Sequence, residues 1–313
     1  MGVISIYPGE YFKKGTKDMD HMTAKVSCFA RAYHYKNNRE WVFADPFAAK
    51  MLRKEEYDAI GEHMAQGISF FAPDFDGAKE DALRFIVEHQ LAPSVLARSA
   101  FCEKALQKEM EKGCGQYAVF AAGFDTFGLR HEAQEISVYE LDLPDIIAEK
   151  RQRIADEALR EHDHVNYVAC DLSDPSWMEK LLGAGFHREH AAFASLLGIS
   201  YYLAKEDWRR LLCSIGELWK EGSCICFDYP RAQAGDVSRK NEQLAAGAGE
   251  RMQARYTSEE MEKLLESCGF SVREHRDHQE ITGEFFAEYN RVNPEHSMHA
   301  PEGVGYVIAV CKS

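Results

Sequence analysis

From Gln116 onward, short apolar runs alternate with stretches of helical periodicity, and this alternation limits the chain to few architectures. The runs QYAVFAAG, ISVYELD, VNYVACD, AAFASLLGI and GSCICFDYP are separated by amphipathic segments from Asp145 to Arg160, Pro175 to Leu182 and Lys205 to Trp219. Strands and helices in that order and spacing predict βαβ units on a parallel sheet. A capped helix follows in YTSEEMEKLLESCGF, opened by Thr257 or Ser258 and closed at Gly269. Two further strand candidates run from Phe270 to His275 and from Gly305 to Cys311. The fold class predicted is α/β, a doubly wound and mostly parallel seven-stranded sheet over residues 114–313.

Residues 1–113 carry little strand signal and read as a helical N-terminal cover. Phe29, Ala32 and Tyr33 share a helical face, and a break follows at Asp45-Pro46. A second amphipathic stretch, Gly77 to Lys112, is interrupted by Pro93, while HMAQGISFFAPDFDG before it reads as a loop.

Charge narrows the partners. Lys and Arg number 37 against 51 Asp and Glu, a formal charge of −14, which repels phosphate backbones and anionic lipid. Neither nucleic acid nor a membrane surface is expected. The opening MGVISIYPGEYFKKG lacks a signal-peptide core, and no uncharged apolar run approaches the ~18 residues of a membrane span. The nine cysteines form no C-x-x-C pair, and several, such as Cys170 and Cys311, lie in apolar runs. A cytoplasmic protein with reduced thiols is expected.

Three strand ends carry the chemistry. Val119-Phe120-Ala121-Ala122-Gly123-Phe124-Asp125-Thr126 is an apolar strand turning through a glycine, where a doubly wound sheet receives a nucleotide. It is not the dinucleotide fingerprint: Ala121 and Thr126 replace two glycines, and Asp125 sets a negative charge where a pyrophosphate would lie. S-adenosylmethionine has no phosphate, and its sulfonium and ammonium tolerate nearby acid. An empty tight turn is the plain alternative. Asp142, 19 residues after Gly123 at the end of VYELD, suits a carboxylate that accepts both ribose hydroxyls. Glu140 shares its side of the strand, so pattern alone does not separate the two; Asp142 is preferred because it ends the strand before Pro144. After the third strand, Asp171 could accept from the adenine amine with Leu172 on the ring, although an Asp there also suits a turn.

FAAGFDTFGLR, YELDLPDIIAEKRQRI, ACDL and SLLGISYYLAKEDW resemble, in this order, the leucine carboxyl methyltransferase family, whose bacterial branch includes O-methyltransferases of polyketide biosynthesis. TAKVSCFARAYHYKNNREWVFADPFA and the closing APEGVGYVIAV extend the likeness over roughly Thr23 to Lys312. The resemblance implies a class I methyltransferase core under a helical cap that contributes to both pockets. It implies Gly123 at the donor turn, Asp142 on the ribose, and Asp171 with Leu172 on adenine. Arg98 in LARSAF would hold the donor's carboxylate, a task for which a bidentate guanidinium is suited. Lys25 is a second basic residue within the likeness, with no role assigned to it. Two positions depart from the family's pattern: Ala121 stands for the first glycine of the turn, and Leu197 stands for an acid before Gly198.

The histidine pairs His162/His164, His187/His190 and His275/His278 match no zinc spacing, so no metal is expected. Nor does any G-x-S-x-G elbow suggest a hydrolase. The function expected is methyl transfer from S-adenosylmethionine to an oxygen of a small molecule, a carboxylate before a hydroxyl, with a polyketide-like acid among the candidates. A carboxylate is already ionised at neutral pH, which leaves the catalytic set unassigned; Tyr201, Tyr202 and His299 fall in the substrate region of the resemblance. The alternatives are a methyltransferase-like binding protein without turnover and, from another class, an NAD(P)-dependent oxidoreductase. Acceptor identity and oligomeric state are not written in the chain.

Overall fold

The computed structural model describes residues 21–132, 135–233 and 253–312. The opening residues read for a signal peptide lie outside them. Seven strands form one sheet: β1 (Gln116–Phe120), β2 (Ser137–Asp142), β3 (Val165–Ala169), β4 (Ala192–Leu196), β5 (Cys224–Pro230), β6 (Phe270–Arg276) and β7 (Val304–Cys311). Their spatial order is β3-β2-β1-β4-β5-β7-β6, with β1 to β5 parallel and β7 antiparallel to both its neighbours. The chain winds outward from β1 to β3 and then returns to place β4 on the other side of β1. This is the switch point at which a doubly wound sheet opens a crevice beyond its strand ends.

Alternation along β1 shows how the sheet is covered. Tyr117 and Val119 enter one core, shared with α1 (Met22–Asn37) and with the long helix described below; Ala118 and Phe120 enter the other. The second core is closed by helices that follow β3 and β4, where Trp208 stands edge-on to Phe227 at 5.3 Å and Trp219 stacks on Phe186. Thr257 accepts from Glu260 N at 3.1 Å, and Glu260 accepts from Thr257 N at 2.8 Å, a reciprocal cap that starts the helix Ser258–Ser267.

Three local expectations change. The stretch 63–77 is not all loop: α2 (Lys54–Gln66) reaches into it and α3 (Ile68–Phe71) follows, because Met64, Ala65 and Phe71 are buried. Pro93 does not break the long amphipathic stretch. Its helix runs as α4 (Lys79–Ile86), a π turn over Val87–Leu91, and α5 (Ala92–Met110), the widened turn carrying the backbone past a residue with no N–H. Finally, Cys213 and Cys268 are joined in a disulfide, which departs from the expectation of reduced thiols throughout. The two lie 55 residues apart, and only the packing of neighbouring helices brings them together. Among the described residues, no helix is long and apolar enough to cross a membrane.

Candidate functional site

A cavity of about 400 Å³ opens at the carboxyl ends of β1, β2 and β4. Its floor is the turn after β1, where Ala121 and Gly123 both take φ of +50°. The Asp142 carboxylate fastens that turn to β2. Its Oδ2 accepts from Gly123 N at 2.7 Å, and its Oδ1 accepts from Leu143 N at 2.7 Å. Each oxygen retains a lone pair for a further donor. Burial pushes the Asp142 carboxyl above the usual range, while the two backbone N–H groups pull the other way. A Cβ on Gly123 would stand 3.2 Å from Ala24 Cβ, so α1 lies close over the turn.

Ala121 sits in the left-handed region without being glycine, at a cost of about 1 kcal/mol. Ala121→Gly should leave stability within about 0.5 kcal/mol, because relief of that strain is offset by ~0.4–1 kcal/mol of added unfolded-chain freedom. Ala121→Val should cost about 2 kcal/mol, since a β-branched residue tolerates this region worst. Urea midpoints for the two variants check the pair.

Two arginines, Arg31 buried and Arg98 part-buried, approach from the helical side. Arg31 on α1 donates through Nε to Asp45 Oδ2 at 2.8 Å and through Nη2 to Phe124 O at 2.7 Å. It thereby ties the helix, the Asp45-Pro46 break and the turn into one unit. Burial works against the Asp45 carboxylate, yet the neighbouring charges of Arg31 and Arg130 hold it below its ordinary pKa. Arg98 on α5 donates through Nη2 to Ser27 Oγ at 3.3 Å and sets Nη1 3.7 Å from Asp228 Oδ2.

Of the residues singled out from sequence, Arg98, Gly123 and Asp142 line this one cavity. Asp171 and Leu172 do not line it. Asp171 Oδ1 accepts from Ser173 N at 2.8 Å and from Ser173 Oγ at 2.7 Å, and these bonds hold its pKa down. Leu172 packs against the second core. Glu140 pairs with buried Lys150 and is also absent from the lining, which separates it from Asp142. Lys25 is occupied by Glu56 at 3.1 Å and Glu149 at 3.4 Å. Leu197, Tyr201 and Tyr202 face the cavity; His299 does not.

Sequence reasoning missed Arg31 and Asp228. A lone acid in the apolar run GSCICFDYP is a signal that could have found Asp228, which is fully buried. Among the described residues, no group of three or more His, Cys, Asp or Glu side chains could hold a metal ion.

The leucine carboxyl methyltransferase family matches residues 24–216. The Bacillus subtilis (strain 168) protein YktD, named for S-adenosyl-L-methionine-dependent methyl transfer, is 33% identical over 308 residues, covering 95% of this chain and 99% of its own. Among solved structures, one from Thermobifida fusca named as a methyltransferase superposes with a TM-score of 0.58 at 13% identity, over 96% of this chain and 100% of that one. Another, from Streptomyces avermitilis, gives 0.58 at 14% identity over 93% and 97%. At such identities these two speak for the fold alone.

Proposed function

The chain belongs to the leucine carboxyl methyltransferase family and its donor is S-adenosylmethionine; from that premise we propose that it methylates a carboxylate oxygen of a small molecule, a polyketide-like acid being one candidate. The observation that carries the reading is the gathering of Gly123, Asp142 and Arg98 around one cavity.

The residues present suit the donor. The Asp142 carboxylate is fixed by two backbone N–H groups with lone pairs to spare for ribose hydroxyls, and Arg98 offers a guanidinium for the amino-acid carboxylate. Asp171 and Leu172 are proposed as the adenine contacts from the adjoining strand end, where Cys170 N donates to Asp142 O at 2.8 Å. The helices before Gly113 are proposed as the cap, with α1 and α5 contributing walls.

Bound there, the donor supplies a methyl group activated by its sulfonium. The chain's own residues then need only hold the acceptor oxygen in line and keep water out. A phenol would also require a base. Tyr201 is unsuited to that role, because its hydroxyl donates to Asp228 Oδ2 at 2.8 Å and burial raises its pKa well above 10. His21 lines the cavity with Nε2 3.0 Å from Asp145 Oδ2, and it is the group a phenol would call on. A carboxylate, with a pKa near ~4, needs no such group.

Calorimetry with S-adenosylhomocysteine tests the donor site, and labelled methyl transfer to a panel of carboxylic acids, phenols and amines tests the acceptor. Labelled product that releases methanol in mild base, with a rate flat from about pH 6 to about pH 9, is expected. Labelling confined to phenols or amines would overturn the carboxylate reading.

A further inference from the structure

We infer that Asp228 is a positioning residue for donor binding: from the end of β5 it sets the Arg98 guanidinium and the Gly198 turn against which that guanidinium lies. The inference rests on the donor reading above and goes one layer deeper into the fold.

Asp228 lies within an otherwise apolar strand and is fully buried. An ionised carboxylate at such depth is costly unless it is paired and hydrogen-bonded. The residues that meet its carboxylate oxygens belong to the cavity wall. Oδ1 accepts from Gly198 N at 2.7 Å, Oδ2 accepts from Tyr201 Oη at 2.8 Å, and Arg98 Nη1 stands 3.7 Å from Oδ2. The backbone joins the same knot, with Ser200 Oγ donating to Asp228 O at 2.8 Å. One carboxylate therefore gathers the turn after β4, the tyrosine that follows it and the arginine of α5.

Gly198 fits this arrangement for two separate reasons. Its φ is +71°, and a Cβ built there would stand 2.5 Å from Arg98 Nη1. The guanidinium thus rests flat on bare backbone, held from below by Asp228 and from the side by Ser27. These contacts restrict the Arg98 side chain before any ligand arrives, so less freedom is lost on binding. Asp228 itself does not line the cavity, and its effect on a ligand runs through Arg98.

Such a residue should act on one end of the donor only. Asp228→Asn keeps the shape and an acceptor oxygen but removes the charge that aligns Arg98. Gly198→Ala leaves the acid in place and displaces the guanidinium from the other side. Calorimetry on both variants would use two ligands: S-adenosylhomocysteine, which carries the amino-acid carboxylate, and methylthioadenosine, which lacks it. Each variant is expected to weaken S-adenosylhomocysteine about tenfold while leaving methylthioadenosine within about twofold. Combining Asp228→Asn with Arg98→Ala should add little to the loss from Arg98→Ala alone. Equal weakening of both ligands, or of neither, would overturn the role of Asp228. A wild-type protein that binds neither ligand would overturn the donor reading, and this inference with it.

Discussion

Asp142→Ala is expected to weaken S-adenosylhomocysteine binding by about a hundredfold, the largest loss at any single position of the cavity. Two effects add. The carboxylate's contacts to the ribose disappear, and hydrogen bonds to a charged group contribute roughly 1.5–3 kcal/mol each. Gly123 N also loses its partner inside a buried turn held at φ +50°, so the turn loosens where the donor must approach closely. Asp142→Asn should fall between the two proteins, since an amide oxygen can serve only one of the two N–H donors. The pH dependence has a definite sign. Burial raises the Asp142 pKa above the ordinary carboxylate value, and only the ionised form accepts at both oxygens. Donor affinity should therefore be full at neutral pH and fall as pH drops through that raised pKa, earlier than for an exposed aspartate. Isothermal titration across pH for wild type and Asp142→Asn checks this; a loss below threefold for Asp142→Ala would sink the assignment.

The centre of the sheet was legible because burial on both faces writes β1, β4 and β5 as largely apolar runs, and the turn after β1 was legible because its glycine and acids interrupt such a run. Asp142 could be preferred over Glu140 only on position. The structure adds the reason they differ: Lys150, ten residues on, reaches back to neutralise Glu140 and leaves Asp142 to face the cavity. What the sequence could not express is pairing between distant segments. The bond between Arg31 and Asp45, the disulfide of Cys213 with Cys268, and the meeting of Arg98 with Asp228 across 130 residues all depend on helices laid over the sheet. Charged residues buried in the helical cover find their partners through the same packing. Lys25 is the clearest case, a lysine that is 3% exposed and closed off by two glutamates.

That buried lysine belongs to the cluster behind the second large effect. Arg153 is 2% exposed on the helix Pro144–Asp156 that follows β2. It donates through Nη1 to Met51 O at 2.7 Å and to Glu56 Oε2 at 2.6 Å, through Nη2 to Glu56 Oε1 at 2.8 Å, and also to Glu149. Its guanidinium stacks 4.6 Å from the Phe124 ring, in the turn after β1. One side chain thus joins α2 of the helical cover, the sheet's own helix and the floor of the site. Arg153→Ala takes the donor from Met51 O and leaves two part-buried glutamates with Lys25 as their remaining cation, and should destabilise the protein by about 2–3 kcal/mol. Acid dependence gives an independent check. Burial alone would raise the Glu56 pKa, but the Arg153 hydrogen bonds, the Arg53 N–H and the charges of Arg153 and Lys25 bring it down from 4.5 to about 2. A depressed carboxylate contributes stability that is present above about 4.5 and lost as pH falls toward about 2. Wild type should therefore lose stability more steeply over that window than Arg153→Ala, in which the depression is largely gone. Urea midpoints measured across the window would decide it, and parallel slopes, or a neutral-pH loss under about 1 kcal/mol, would mean that the cluster does not hold the cover to the core.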